Sequence, residues 1–255
     1  MLLHGLASTR RWWDLVTAEL PWRRVVRWDH RGHGQSAAPP GRYRLEVLAA
    51  DAATILDLAG VRRCVVAGHS MGAAVALQLA ARRPDLVAGI CCVEGGLADP
   101  KILFGRDWPA ARTAMQIDRR TEPTRAVLAA WTRGTGLPDT ALAAVLANYR
   151  PAGSHPDRLR LRLDRRHEET LAHSLWCQTP AELLNAVGVP VTVVTARPAD
   201  SQQAELYRAA LHSTLTRAGR SVTQVWISGG HELPLQHPQQ IAAAIAGLAD
   251  QVAES

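Results

Sequence analysis

Apolar positions along the chain follow two rhythms. Short β-branched or continuous apolar runs at residues 25–28, 64–67, 89–93, 191–196 and 222–227 predict strands. Between them, Ala/Leu-rich segments at 45–59, 71–82, 201–217 and 239–252 carry an apolar stripe opposite a polar side and predict helices. This alternation is the trace of βα units feeding a mostly parallel sheet flanked by helices, an α/β architecture. From Gly96 to about Val189 the rhythm changes. Strand-like runs vanish, Pro/Gly breaks multiply, and Trp108, Trp131, Tyr149 and Trp176 appear, so a mainly helical insertion is expected there. The expected layout is one core formed by residues 1–95 and 190–255, interrupted by an insertion at 96–189.

Composition narrows the function classes. The 255 residues are 47% hydrophobic and 20% charged, enough to bury a sizeable core. The formal charge of +6 would permit a nucleic-acid partner. The basic residues, however, are all Arg except Lys101 and are scattered as short pairs, which predicts solvated faces and no nucleic-acid partner. In Arg158-Leu159-Arg160-Leu161-Arg162 charges alternate with leucines, so one side can bury while the other meets solvent. Lys101 follows Pro100, which excludes a G-x-x-x-x-G-K-[ST] phosphate loop. Gly32-His33-Gly34 is a poor dinucleotide fingerprint because Ala37 stands at the third glycine position. No metal-ligand spacing occurs among the ten histidines, and Cys64, Cys91, Cys92 and Cys177 form no C-x-x-C pair and read as reduced core residues. Neither a cofactor nor a metal is expected. Without a long apolar run or a secretory pattern at Met1-Leu2-Leu3-His4-Gly5, the expected setting is cytoplasmic, with no membrane partner.

The chemistry gathers at two loops. Gly68-His69-Ser70-Met71-Gly72 is a G-x-S-x-G motif lying directly after an apolar strand run and directly before an Ala-rich helix. Such a turn strains the nucleophile's backbone, and small residues two positions either side keep the strand and helix from colliding. Ser70 is the candidate nucleophile, and the backbone N–H of Met71, in the helix's first turn, can stabilise an oxyanion. A serine hydroxyl needs a base. Gly229-Gly230-His231-Glu232-Leu233-Pro234 follows the last strand run and precedes the terminal helix, so His231 is the candidate base.

With these motifs in place, the chain resembles the α/β-hydrolase superfamily along nearly its whole length. The matching pieces, in order, are Leu2-Leu3-His4-Gly5, Asp29-His30-Arg31-Gly32-His33-Gly34-Gln35-Ser36, the Ser70 elbow and the His231 loop. The resemblance implies that Leu6, after His-Gly, supplies the second oxyanion N–H, and that the Arg31 to Gly34 turn is structural. It places the triad carboxylate after either of two strands. Glu94 ends one strand run and is followed by Gly95-Gly96; Asp200 lies after the other. There Ala196-Arg197-Pro198-Ala199-Asp200 lacks the usual Gly and sets the Asp one residue late, which favours Glu94 with Asp200 as the alternative. The insertion is similar to the family's helical lid, and His69, Phe104, Trp108, Trp131, His167 and Trp176 are candidate substrate-lining residues. Members usually carry two strands before the His-Gly strand, whereas three residues precede His4 here. A shortened sheet edge, and a homo-oligomer formed through it, are expectations of that reading.

A Ser nucleophile disfavours the carboxylate-dependent dehalogenation and epoxide opening run on similar folds. The expected reaction is hydrolysis of a small-molecule acyl substrate, a carboxylic ester or lactone. A thioesterase or perhydrolase would use the same triad, and a non-catalytic ligand-binding member of the fold is the reading from another class.

Overall fold

The computed structural model describes residues 1–21, 23–117, 121–153, 155–197 and 201–254. In chain order the strands are β1 (Leu2–Leu3), β2 (Cys64–His69), β3 (Val87–Val93), β4 (Tyr149–Ala152), β5 (His155–Leu161), β6 (Val191–Arg197) and β7 (Thr223–Ser228). The helices of the first half are α1 (Asp14–Ala18), α2 (Leu45–Leu58), α3 (Met71–Arg82), α4 (Pro100–Phe104), α5 (Trp108–Ala114) and α6 (Arg125–Gly134). They continue as α7 (Leu142–Ala147), α8 (Arg165–Trp176), α9 (Pro180–Ala186), α10 (Ser201–Ala218), α11 (Leu233–Gln236) and α12 (Pro238–Ala253).

Five strands in the order β1-β2-β3-β6-β7 form a sheet whose neighbours all pair in parallel. Successive side chains of a strand point to opposite faces, and the central strands supply two cores in this way. Val66, Ile90, Cys92 and Val193 join α2 and α3 residues such as Leu48, Leu56, Val75 and Leu79. Their neighbours Ala67, Cys91, Val93 and Val194 join Val16 of α1 and Ile241, Ile245 and Leu248 of α12. Burial on both faces explains why β2, β3 and β6 read as unbroken apolar runs.

Two expectations change. Residues 25–28 do not form a strand; Arg27 makes a single parallel bridge to Leu2. Its partner β1 is only two residues long, so the ladder has no room to extend. The segment between β3 and β6 also holds the antiparallel hairpin β4-β5, where no strand was expected. The Arg/Leu alternation at 158–161 is its period-2 signature, with Arg158 and Arg160 exposed and Leu159 and Leu161 partly covered.

The insertion packs as two halves. Leu128 of α6 and Ala144 and Val145 of α7 cover Trp12 and Leu235 in a third apolar cluster, and Leu159 of β5 packs against its side. On the other side α4 contacts α5, α8 and α10, and α9 rests on α3 and α10. The Ser70 end of the sheet lies beneath the seam between these halves. No helix among the described residues is long and apolar enough to cross a membrane.

Candidate active site

Ser70 joins β2 to α3 with φ 54° and ψ −118°, a left-handed conformation that costs a non-glycine residue roughly 1–3 kcal/mol. The surroundings hold it there. The Ser70 N–H donates to the Val93 carbonyl at 2.9 Å. A side chain at Gly68 would collide with the Gly72 backbone, and one at Gly72 with the Leu3 carbonyl. Gly95 closes the elbow from the β3 side, where an added Cβ would lie 2.8 Å from the Ser70 Cα.

At the end of β3, Glu94 also has a positive φ, 52°, which turns its side chain back across the strand ends. Its N–H donates to Val194 O at 2.9 Å, and its Oε1 accepts the Ala196 N–H. The other oxygen, Oε2, lies 3.5 Å from Nδ1 of His231, and only 8% of the Glu94 side chain is exposed. The structure thus brings Glu94 to the imidazole. Asp200 lies outside the described residues.

The His231 loop is pinned from both sides. Gln236 Oε1 accepts the Gly230 N–H at 2.9 Å, and its Nε2 donates to the Thr135 carbonyl of the insertion at 3.1 Å. His69 Nε2 lies 2.8 Å from the His231 carbonyl oxygen. Because a carbonyl only accepts, Nε2 carries the proton. Burial drives the His69 pKa down to about 3, so this ring is neutral. For His231 burial also acts downward. The hydrogen bond to Glu94 and the charges of Glu232 and Glu94 act upward and outweigh it, leaving its pKa above the ordinary 6.5. Half of this side chain, 52%, still faces the open cavity while protein encloses the rest.

A cluster of buried histidines shapes the loop after β1. His4 Nδ1 meets the Gly5 carbonyl at 2.8 Å and its Nε2 accepts the His30 N–H at 2.9 Å. His33 Nδ1 meets the Arg31 carbonyl at 3.0 Å and its Nε2 accepts the Ala7 N–H at 3.2 Å. Burial lowers His30 to about 3 and His33 to about 4, which keeps both neutral. The His4 and His33 rings hold the backbone on both sides of Leu6, and none of the three histidines lines the cavities described next.

Two cavities meet at the elbow, sharing Leu6, Ser70, Gln116 and His231. The first, of about 490 Å³, is walled by apolar side chains including Leu103, Phe104, Met115, Ile117, Leu175 and Leu206. The second, of about 560 Å³, lies under α6, α7 and the hairpin and is lined by Trp12, Trp131, Tyr149 and Glu232 among others. Of the expected lining residues, Phe104 faces the first cavity and Trp131 the second. His69 borders the second, but it is 3% exposed and its ring is engaged by the His231 carbonyl and by stacking on Trp12.

The remaining three expected residues line neither cavity. His167 stacks flat on Tyr43, with ring centroids 3.6 Å apart. Trp108 and Trp176 pack on each other and on His173, and the Trp176 indole N–H donates to Gly105 O at 2.9 Å. The two tryptophans find their cover within the insertion, and His167 finds its own on Tyr43 of the core. Gln116, Tyr207 and Glu232 are lining residues that the sequence reading missed. Only Glu232 had a signal in the chain, its place next to His231.

Comparison with known proteins agrees with this architecture. A family model described as the alpha/beta hydrolase fold matches residues 1–238. The "Putative carbamate hydrolase RutD" of Klebsiella pneumoniae subsp. pneumoniae is 35% identical over 100 residues, which span 38% of this chain and 38% of that protein. Among solved structures, E-2-(acetamidomethylene)succinate hydrolase superposes with a TM-score of 0.74 at 21% identity, covering 98% of this chain and 90% of that one. The enol-lactonase from Burkholderia xenovorans LB400 gives 0.67 at 20% identity, covering 97% and 89%. At those identities the superpositions speak to the fold. The family match spans nearly the whole chain, and the chain belongs to the alpha/beta hydrolase fold family.

Proposed function

We propose that the chain hydrolyses a carboxylic ester or lactone through an acyl-enzyme on Ser70. The observation that carries this reading is the convergence of three elements. The strained Ser70 and His231 line one cavity, and the imidazole Nδ1 faces the buried Glu94 carboxylate. With Nδ1 turned to Glu94, Nε2 is free to take the proton as Ser70 Oγ attacks the carbonyl carbon. The proton passes to the leaving alkoxide, and water then attacks the acyl-enzyme by the reverse path. The N–H groups of Leu6 and Met71 are assigned to the oxyanion, and Glu94 orients the imidazole and stabilises its charged form. The 3.5 Å separation from Glu94 is longer than an ordinary hydrogen bond and is expected to shorten when substrate binds.

The apolar cavity suits an acyl chain, the insertion over it acts as the lid, and a thioester or a carbamate would be cleaved by the same atoms. The name of the RutD relative concerns a carbamate, so that linkage belongs in the test. The experiment is a panel of p-nitrophenyl esters of increasing chain length, lactones, a thioester and an aryl carbamate, run beside fluorophosphonate labelling. Labelling and turnover are expected in the wild type, and Ser70→Ala should lose both. A wild-type serine that neither labels nor turns over any acyl substrate would instead favour a ligand-binding member of the fold.

A further inference from the structure

Among the described residues, the carboxylates around Ser70 are opposite in sign to the net charge of the molecule. The chain carries a formal charge of +6, yet among the described residues lining the two cavities there is no Arg or Lys. The lining charges are carboxylates: Glu94, engaged by Ala196 and His231, and Glu232. Glu232 has no comparable structural task. It stands at the N-cap of α11 without capping it, since its side chain accepts no bond from the helix. It is in no ion pair with an Arg or Lys among the described residues. The Trp12 indole N–H lies close enough to lower the Glu232 pKa but makes no hydrogen bond of ordinary geometry. Burial, the largest influence on this carboxyl, leaves its pKa raised overall. The neighbouring His231 favours its charged form, but when that ring is neutral a carboxylate in a partly buried wall is costly unless something else satisfies it.

The same cavity presents Tyr149 and the half-open Trp131, 41% exposed, whose ring faces attract cations. We infer that Glu232 is a specificity-determining residue, and that the second cavity takes a substrate group bearing an ammonium charge, held by Glu232 and these aromatic faces. This rests on the reading of Ser70 as nucleophile. The apolar cavity then receives the acyl part, and the cationic group sits on the leaving side of the ester. A dianionic substrate would find carboxylates and, among the described lining residues, no basic anchor.

The test compares three butyrate esters of matched size: a 2-(trimethylammonio)ethyl ester, its neutral 3,3-dimethylbutyl isostere and an anionic 2-carboxyethyl ester. The kcat/KM ratio of cationic to neutral ester is expected to be about tenfold in the wild type. It should fall at least about fivefold in Glu232→Gln, with the anionic ester the poorest wild-type substrate. Any effect of Glu232 on His231 cancels in the ratio, because all three esters use the same base. A ratio near one, a preference for the anionic ester, or a ratio unchanged by Glu232→Gln would overturn the proposal. Tryptophan fluorescence of the Ser70→Ala protein, titrated with choline and with 3,3-dimethylbutanol, reads the subsite without turnover. Tighter binding of the cation, lost on adding Glu232→Gln, supports the subsite even if no ester is cleaved; equal binding overturns it even if esters are cleaved.

Discussion

The strand ends and the insertion contribute to the same site by different physics. At the strand ends every group assigned to the proposed reaction is over-determined. Ser70 is wedged between Gly68, Gly72 and Gly95, Glu94 is tied to β6 through Ala196, and His231 is held by His69 and Gln236. In the insertion, by contrast, the cavity walls are made of side chains such as Phe104 and Trp131 that answer only to local packing. The difference teaches where each kind of mutation should act: the frame sets the rate of chemistry, and the insertion sets which molecule is accepted.

The sharpest break is at the nucleophile. Ser70→Ala should lower kcat by roughly 10⁴-fold or more with the fold intact by circular dichroism. Next comes the acid. Glu94→Gln is expected to cost about 10²- to 10⁴-fold in kcat, whereas Asp200→Asn should stay within about threefold. The reverse ranking in single-turnover acylation would move the acid to Asp200.

The pH profile sharpens the same point. The proposed base, His231, can take a proton only when neutral, and its pKa is raised above 6.5 by Glu94 and Glu232 against the pull of burial. Activity should therefore fall as pH drops through a value above 6.5, and removing either carboxylate charge should slide that acid limb toward lower pH. A limb that stays in place in Glu94→Gln would show that the pair does not interact.

A smaller effect is expected where the two loops are tied. His69→Asn removes the bond to the His231 carbonyl without touching the reacting atoms, and should lower kcat about tenfold with little change in KM. A change in KM alone would return His69 to a substrate-contacting role. Smallest of all, Phe104→Ala and Trp131→Ala should leave acylation by a short p-nitrophenyl ester within about threefold of wild type. Each should change the ranking of longer or bulkier esters, Phe104 on the acyl side and Trp131 on the alcohol side.

Much of the frame was legible in the chain because its signals are local. A strand run, two glycines around Ser70 and an Ala-rich helix define one bend whatever the rest of the molecule does, and the helix begins at Met71 as expected. Continuous apolar runs likewise marked β2, β3 and β6 to within about two residues, because strands buried on both faces admit little else. The segment at 25–28 shows the limit. Its composition was that of a strand, but a ladder needs a partner, and β1 offers only two residues. The hairpin β4-β5 is the opposite case, a period-2 pattern present in the sequence but set among helical segments.

What the sequence determined by itself was therefore the type of fold and the bend that carries Ser70. Tertiary structure decided the rest. Glu94 and His231 are 137 residues apart in the chain, and the parallel order β3-β6-β7 brings the carboxylate to the imidazole. The lining of the cavities was decided later still, by which aromatic rings found cover inside the insertion and which did not. Local spacing constrains a backbone, since its dihedrals and hydrogen bonds are short-range; a contact between distant side chains has no spacing to be read from.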